Sequence, residues 1–237
     1  MSLDTFKNSN QNQDEQSLSD SQSHDFVSRH LHPVELVSNR KQSESDRHLR
    51  VMVRELAQEG EYDQAIILLT QLIERHPQSA NDYNNRGLLH FKNAQYAEAL
   101  ADYNCALELN PRLDSAYNNR ANYYACQGDL ATAIADYDTA LNFNPANLRA
   151  SINQAIAFRQ LGLYDLALEN LDLALILGRR LKGRIYLERG RTYHVRGDWN
   201  CALADYNRAR EYWSDLSYSH QQQIQIWLNQ LLKPATA

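Results

Sequence analysis

Two stretches of the chain carry almost the same succession of apolar and polar positions. Residues 80–111 read ANDYNNRGLLHFKNAQYAEALADYNCALELNP and residues 114–145 read DSAYNNRANYYACQGDLATAIADYDTALNFNP. Tyr83, Ala99, Tyr103, Ala106 and Pro111 return as Tyr117, Ala133, Tyr137, Ala140 and Pro145, each 34 residues on. Small residues at Gly87, Ala99 and Ala106, and at Ala121, Ala133 and Ala140, let helix backbones approach closely, while the tyrosines fill the space around them. The prolines end the second helix of each unit and set the turn into the next. The pattern therefore predicts a stack of helix-turn-helix units, each burying its apolar face only against its neighbours.

The same register extends in both directions. Gly60 and Tyr62 match the inter-helix turn of Gly128 and Leu130, and Pro77 lies 34 residues before Pro111. The first unit starts with Leu49, Val53 and Leu56 on one helical face, after a capping-box-like Ser43 and Asp46. A fourth unit holds Phe158, Gly162, Tyr164, Ala167 and Ala174, but Arg179 replaces its closing proline. A fifth begins one residue late and carries Tyr186, Gly190, Tyr193, Gly197, Trp199, Ala202, Tyr206 and Ala209. Five repeats are thus expected over residues 43–214, at 46–79, 80–113, 114–147, 148–182 and 183–214. In residues 215–233, Ile224, Trp227, Leu228 and Leu231 follow amphipathic spacing against a polar Gln222, Gln225 and Asn229 face, which predicts a helix that caps the stack. Residues 234–237 form a short tail.

Composition changes the picture mainly at the N-terminus. Residues 1–42 are rich in Ser, Gln, Asn and Asp, with few large apolar residues before Phe26, and are expected to form a disordered arm. Phe26, Val27, Leu31, Val34, Leu36 and Val37 cluster around His30, His32 and Pro33; a docking motif and a plain linker both stay open. His24, His30 and His32 lack the accompanying Cys or helical His pair that a metal site would need. Cys105, Cys126 and Cys201 fall at three different repeat positions, so neither a disulfide framework nor a metal set is expected. With 237 residues, 43% apolar content and net charge −5, the chain has material for one large domain and no overall attraction for nucleic acid. It lacks an apolar run near the ~18 residues of a membrane span, and it opens on MSLDTFKNSN, without a basic head and apolar core. A cytoplasmic protein is the expectation, with no cofactor and no metal.

From about Asp46 to Trp213 the chain resembles the tetratricopeptide repeat family, most strongly in repeats two, three and five. The resemblance implies an all-α, right-handed superhelical solenoid of antiparallel helix pairs, with the first (A) helices on the concave side. It also implies a role in assembling protein complexes by holding peptide segments. Chaperone-binding members use a two-carboxylate clamp with Lys and Asn in the first A helix, Asn in the second, and Lys and Arg in the third. Here those positions hold Arg50 and Arg54, then Asn85, then Ser115 and Asn119, so only the second matches.

Two correlations run along the repeats. Repeats two, three and five pair an Arg at position seven with an Asp at position twenty-three: Arg86 with Asp102, Arg120 with Asp136, and Arg189 with Asp205. Repeat one has Met52 and Leu68 there, and repeat four has Gln154 and Asn170. A hairpin turning near position fifteen brings the two positions together, which predicts an ion pair within each repeat. The second correlation is an asparagine ladder on an A-helix face opposite the packing face: Asn85, Asn119 and Asn153 at position six, with Asn84 and Asn118 beside them and Asn122 one turn further. A carboxamide both donates and accepts, and so matches the backbone amide of an extended peptide.

Arg50, Arg54, Arg149, Arg159, Arg184 and Arg191 frame the ladder, and guanidinium groups suit an acidic or C-terminal peptide segment. Scattered, solvated arginines are the competing explanation. Arg179, Arg180, Lys182 and Arg184 cluster at the irregular joint between repeats four and five, either as an anion-binding patch or as a solvated linker. With neither a phosphate loop nor a metal-ligand cluster, and with His90 and His194 at packing positions, an enzyme is not expected. The function expected is a non-catalytic scaffold, adaptor or assembly factor holding a partner's peptide in its concave groove. The alternatives are a self-associating structural module and, more remotely, nucleic-acid or anion binding through the arginines.

Overall fold

The computed structural model describes residues 33–178 and 181–232. Residues 1–32 with Phe26, Val27, Leu31 and the three histidines, Arg179 and Arg180 of the basic joint, and the tail lie outside the described residues. All regular structure among the described residues is helical: α1 Pro33–Glu59, α2 Tyr62–Arg75, α3 Ala80–Lys92, α4 Tyr96–Leu109, α5 Asp114–Cys126, α6 Leu130–Phe143, α7 Leu148–Gln160, α8 Tyr164–Leu177, α9 Lys182–Arg196, α10 Trp199–Glu211 and α11 Tyr218–Leu232. A single 3₁₀ turn, Trp213–Asp215, precedes α11. The chain divides into two compact units, Met1–Met52 and Val53–Ala237, and everything described below belongs to the second unless stated.

The first helix corrects one expectation. It begins at Pro33, ten residues inside the stretch read as arm. Proline at the first helical position fits a helix start, because its missing N–H is one that no helix satisfies there, and the Glu, Leu, Arg and Lys that follow favour helix. The Ser and Asn content of residues 34–42 hid this signal.

The turn between the two helices of each repeat uses a left-handed residue at one position: Gly60 (φ +85°), Gly128 (+83°), Gly162 (+75°) and Gly197 (+95°). A Cβ at these glycines would meet nothing within 4 Å, so backbone conformation and not space selects them. Repeat two puts Ala94 there at φ +58°, a conformation that costs an L-residue about 1 kcal/mol. Gly87 and Gly190 have the opposite reason: a Cβ would stand 2.8 Å from Tyr103 Cε1 and 2.9 Å from the Tyr206 ring. That close approach buries Tyr103 and Tyr206 completely in their hairpins, as Tyr137 is buried in its own.

Each second (B) helix in repeats one to three is followed by one C-cap residue, His76, Asn110 or Asn144, and then a proline. Repeat four lacks the proline, and Gly178 closes α8 in an extended conformation, followed by Leu181 at φ +62° leading into α9. The last hairpin is closed by α11, whose Ile224 and Leu228 are buried with Leu187, Ala202, Tyr206, Ala209 and Leu216. Trp227 stacks on Tyr206 with ring centroids 5.4 Å apart. The result is an all-α repeat solenoid with a C-terminal capping helix.

Candidate functional site

The arginines at position seven are committed to the fold. Arg86 grips Asp102 with two parallel bonds, Nε to Oδ2 at 2.8 Å and Nη2 to Oδ1 at 2.7 Å. Arg120 does the same with Asp136 (2.8 and 2.9 Å), and Arg189 with Asp205 (2.6 and 2.9 Å). In repeat four the amides substitute: Asn170 Nδ2 donates to Gln154 Oε1 at 2.5 Å. The pairing read from the sequence is therefore present in both its ionic and its amide form. The carboxylates are nearly buried, and the hydrogen bonds from their arginines raise the guanidinium pKa values further, so these cations stay charged.

The sequence did not disclose the third arm of this network. Arg86 Nη1 also donates to Thr70 Oγ1 (3.2 Å), Arg120 Nη1 to Asn104 Oδ1 (2.8 Å), Gln154 Nε2 to Asp138 Oδ1 (2.5 Å), and Arg189 Nη1 to Asp172 Oδ1. All four acceptors occupy position twenty-five of the preceding repeat. Each position-seven side chain thus ties its own hairpin to the one before it.

The asparagines form a second network, along the A helices. Asn119 Nδ2 donates to Asn84 Oδ1 at 3.0 Å and Asn118 Nδ2 donates to Asn119 Oδ1 at 3.2 Å. Asn153 Nδ2 donates to Asn122 Oδ1 at 2.9 Å and reaches Asn118 Oδ1 at 3.4 Å, while the Tyr137 hydroxyl donates to Asn122 Oδ1 at 2.6 Å. Asn84 and Asn118 are buried, which corrects their expected place on the outward face: position five points into the seam between successive A helices. Asn85 is exposed, and Asn119, Asn122 and Asn153 are partly so.

Beside this network runs a groove of about 650 Å³, lined by Leu88, Phe91 and Lys92 of α3, Asn118, Asn119 and Asn122 of α5, Arg149, Ile152 and Asn153 of α7, Leu181 and Arg184 at the start of α9, and Ser217 and His220 at the start of α11. Among the described residues, Lys92, Arg149 and Arg184 line it and no carboxylate does. Arg149 is exposed, and the Arg184 Nε is buried without a hydrogen-bond partner. Burial, and then the positive charge of Arg184, lower the pKa of His220 from its ordinary value.

Of the residues expected to form the site, the groove gathers Asn118, Asn119, Asn122, Asn153, Arg149 and Arg184. Arg159 is corrected: its guanidinium is buried against Glu188 (Nη2 to Oε2, 2.8 Å), the Glu188 carbonyl and Thr192, clamping α7 to α9. The guanidinium is therefore turned to this clamp and buried instead of lining the groove. Arg191 is also displaced, lying over the Trp227 ring at 5.4 Å in a separate cavity with Glu188, Ser219 and Gln223. Arg54 and Arg50 stand on α1, exposed, and Arg50 belongs to the first unit. Leu88, Phe91 and Lys92 were missed although positions nine, twelve and thirteen share the helix face already assigned to the groove. Ser217 and His220 left no signal, because α11 lies outside the repeat register.

No helix among the described residues is long and apolar enough to cross a membrane, and no described cluster of His, Cys, Asp or Glu is arranged to hold a metal ion. Family models described as "Tetratricopeptide repeat" match residues 52–79, 80–113 and 115–147, in uninterrupted succession but for one residue. No curated protein matches the chain in sequence. Among solved structures it is similar to TTC0263, a thermophilic TPR protein in Thermus thermophilus, at TM-score 0.65 and 20% identity over 79% of this chain and 98% of that one. PilW, a type IV pilus biogenesis factor, superposes at TM-score 0.66 and 18% identity over 74% and 81% of the two chains. PilF of Pseudomonas aeruginosa does so at TM-score 0.63 and 18% identity over 81% and 94%. At these identities the likeness is one of fold.

Proposed function

We propose that the chain, three of whose repeats match tetratricopeptide repeat models, is a non-catalytic adaptor that holds an extended peptide segment of a partner in the groove between Phe91 and Arg184. The observation that carries this reading is the lining itself: asparagines locked in place by one another, flanked by Lys92, Arg149 and Arg184, with no carboxylate among the described lining residues. A peptide backbone presents amides to be matched by amides, and an acidic segment supplies the charge the groove lacks. The asparagine network also fixes the carboxamides before a ligand arrives, which reduces the ordering cost of binding. Asn153 donates to two neighbours, and its Oδ1 accepts no bond among the described residues, leaving an acceptor for a peptide N–H.

The test is retention of a pool of acidic dodecapeptides by the full chain, with a matched basic pool as control. Retention of the acidic pool should fall several-fold in Asn153→Ala and in Arg149→Ala, neither of which removes buried apolar volume. Undiminished retention in both variants would sink the groove reading.

A specific feature favours a second reading, self-association. Leu166, Leu173 and Ile176 of α8 stand exposed along one side of the helix, Ile176 at 80%. If sedimentation shows a dimer that Leu173→Asp and Ile176→Asp dissociate, with no peptide retained by the wild-type chain, the structural module replaces the adaptor.

A further inference from the structure

The turns that join paired helices are bonded from one repeat to the next in two places. Asn93, at position fourteen, donates to Asp63 of the preceding repeat at 2.7 Å, and Arg196, at the same position, donates to Asp165 at 2.6 Å. In repeats one to three the turn is polar on both sides of its left-handed residue: Glu59 and Glu61, Asn93 and Gln95, Gln127 and Asp129. Repeat four breaks this pattern with Leu161 and Leu163, and Leu166 follows in the first turn of α8. All three are half-exposed. Repeat five adds Val195 and Trp199, each 56% exposed, from the turn that Arg196 fastens to repeat four. Single exposed apolar residues are ordinary, but leucines gathered with an exposed tryptophan mark a surface made to be covered.

The charge along this edge says what covers it. Arg196 is shared between Asp165 and Asp198, so the two carboxylates outnumber the cation that joins them, and Asp165 is almost wholly exposed. A second copy packed through the same edge about a two-fold axis would bring two negatively charged surfaces together. A segment that carries its own cations among apolar residues would instead gain on both counts.

We propose that Leu161, Leu163, Leu166, Val195 and Trp199 form a docking edge for a segment of a partner protein in which Lys or Arg is interleaved with large apolar residues. Trp199 offers the broad apolar anchor that such contacts favour, its ring already set edge-on against His194 at 5.3 Å. The cations of the segment meet Asp165 and Asp198 at the rim, where they set the choice of partner and the rate of encounter. The edge shares no residue with the groove lining, so it acts independently of the groove and gives the chain a second place to hold a protein.

The experiment measures retention of three dodecapeptide pools on the full chain, built from Lys with Leu, from Glu with Leu, and from Lys with Ser. The lysine–leucine pool should be retained about tenfold better than either of the others. Leu163→Ser and Trp199→Ser should each lower that retention several-fold, and joint Asp165→Lys and Asp198→Lys substitution should transfer the preference to the glutamate–leucine pool. Circular dichroism confirms that each variant is folded, and Leu161→Ser replaces Trp199→Ser should the loss of the His194 contact unfold the last hairpin. Asn153→Ala, in the groove, should leave lysine–leucine retention unchanged, so failure of the edge and failure of the groove are read separately. Retention undiminished by Leu161→Ser and Leu163→Ser, or equal retention of the lysine–serine pool, would overturn the proposal. So would a dimer in sedimentation that Leu163→Ser dissociates, which would give the edge to a second copy of the chain.

Discussion

Arginines and asparagines both recur with the repeat, yet the two ladders end in different chemical states. At position seven each guanidinium spends its donors on an aspartate of its own hairpin and on position twenty-five of the preceding one, as Arg120 does with Asp136 and Asn104. On the A helices, buried Asn118 donates to Asn119 and accepts from Asn153, whereas the Asn153 Oδ1 accepts no bond among the described residues and Asn85 is exposed. Recurrence at a repeat position therefore does not separate structure from function; unspent bonding capacity beside a groove does.

The comparison breaks most readily at the arginine ladder. Arg120→Met strands the nearly buried Asp136 carboxylate and should cost about 2–3 kcal/mol in urea unfolding. Adding Asp136→Leu should recover much of that loss, with a favourable wild-type coupling in the double-mutant cycle. Additive losses would show that the pair contributes through packing and not through its charges.

A smaller effect sharpens the point that identical residues differ by what meets them. The Tyr137 hydroxyl has Asn122 as acceptor, while the Tyr103 hydroxyl is buried without a partner because position nine of its repeat is Leu88. Burial raises the pKa of both phenols, so both stay neutral at working pH. Tyr137→Phe should lose about 1 kcal/mol, and Tyr103→Phe should be neutral or gain up to ~1 kcal/mol. Equal losses in thermal denaturation would contradict the difference in bonding.

Asn119→Ala removes the donor to buried Asn84 and should destabilise by about 1 kcal/mol, whereas Asn85→Ala should change stability by less than ~0.5 kcal/mol. If both substitutions leave the melting temperature unchanged, the carboxamide network carries no folding energy. Smallest of all, Ala94→Gly relieves a left-handed alanine and should add about 0.5 kcal/mol, the relief being partly offset by glycine's greater unfolded freedom. A destabilised Ala94→Gly would mean that the alanine methyl packs more than the backbone strains.

How far the sequence could be read follows from where each signal resides. Positions seven and twenty-three lie in one hairpin and change together, down to Gln154 and Asn170, so their contact was legible. The bond to position twenty-five crosses between repeats, and its acceptors Thr70, Asn104, Asp138 and Asp172 share polarity but not identity, which leaves no recurring letter. Arg159 was misplaced because its partner Glu188 sits past the joint at Leu181, where the register slips by one residue. The helix start at Pro33 was overlooked because composition was weighed ahead of position. Period, turn glycines and cap were legible because backbone sterics and burial write them into residue types at fixed spacing.

The bonds between neighbouring hairpins also say how such a chain can lengthen. An extra copy of residues 114–147 placed after the original would bring a second Arg120 against Asp138, replacing an amide contact with an opposite charge, and would still hand Asp138 to Gln154 at its far end. The third unit is thus compatible with its own duplicate on both sides. A gene encoding it can grow by tandem copying there without first evolving a new joint.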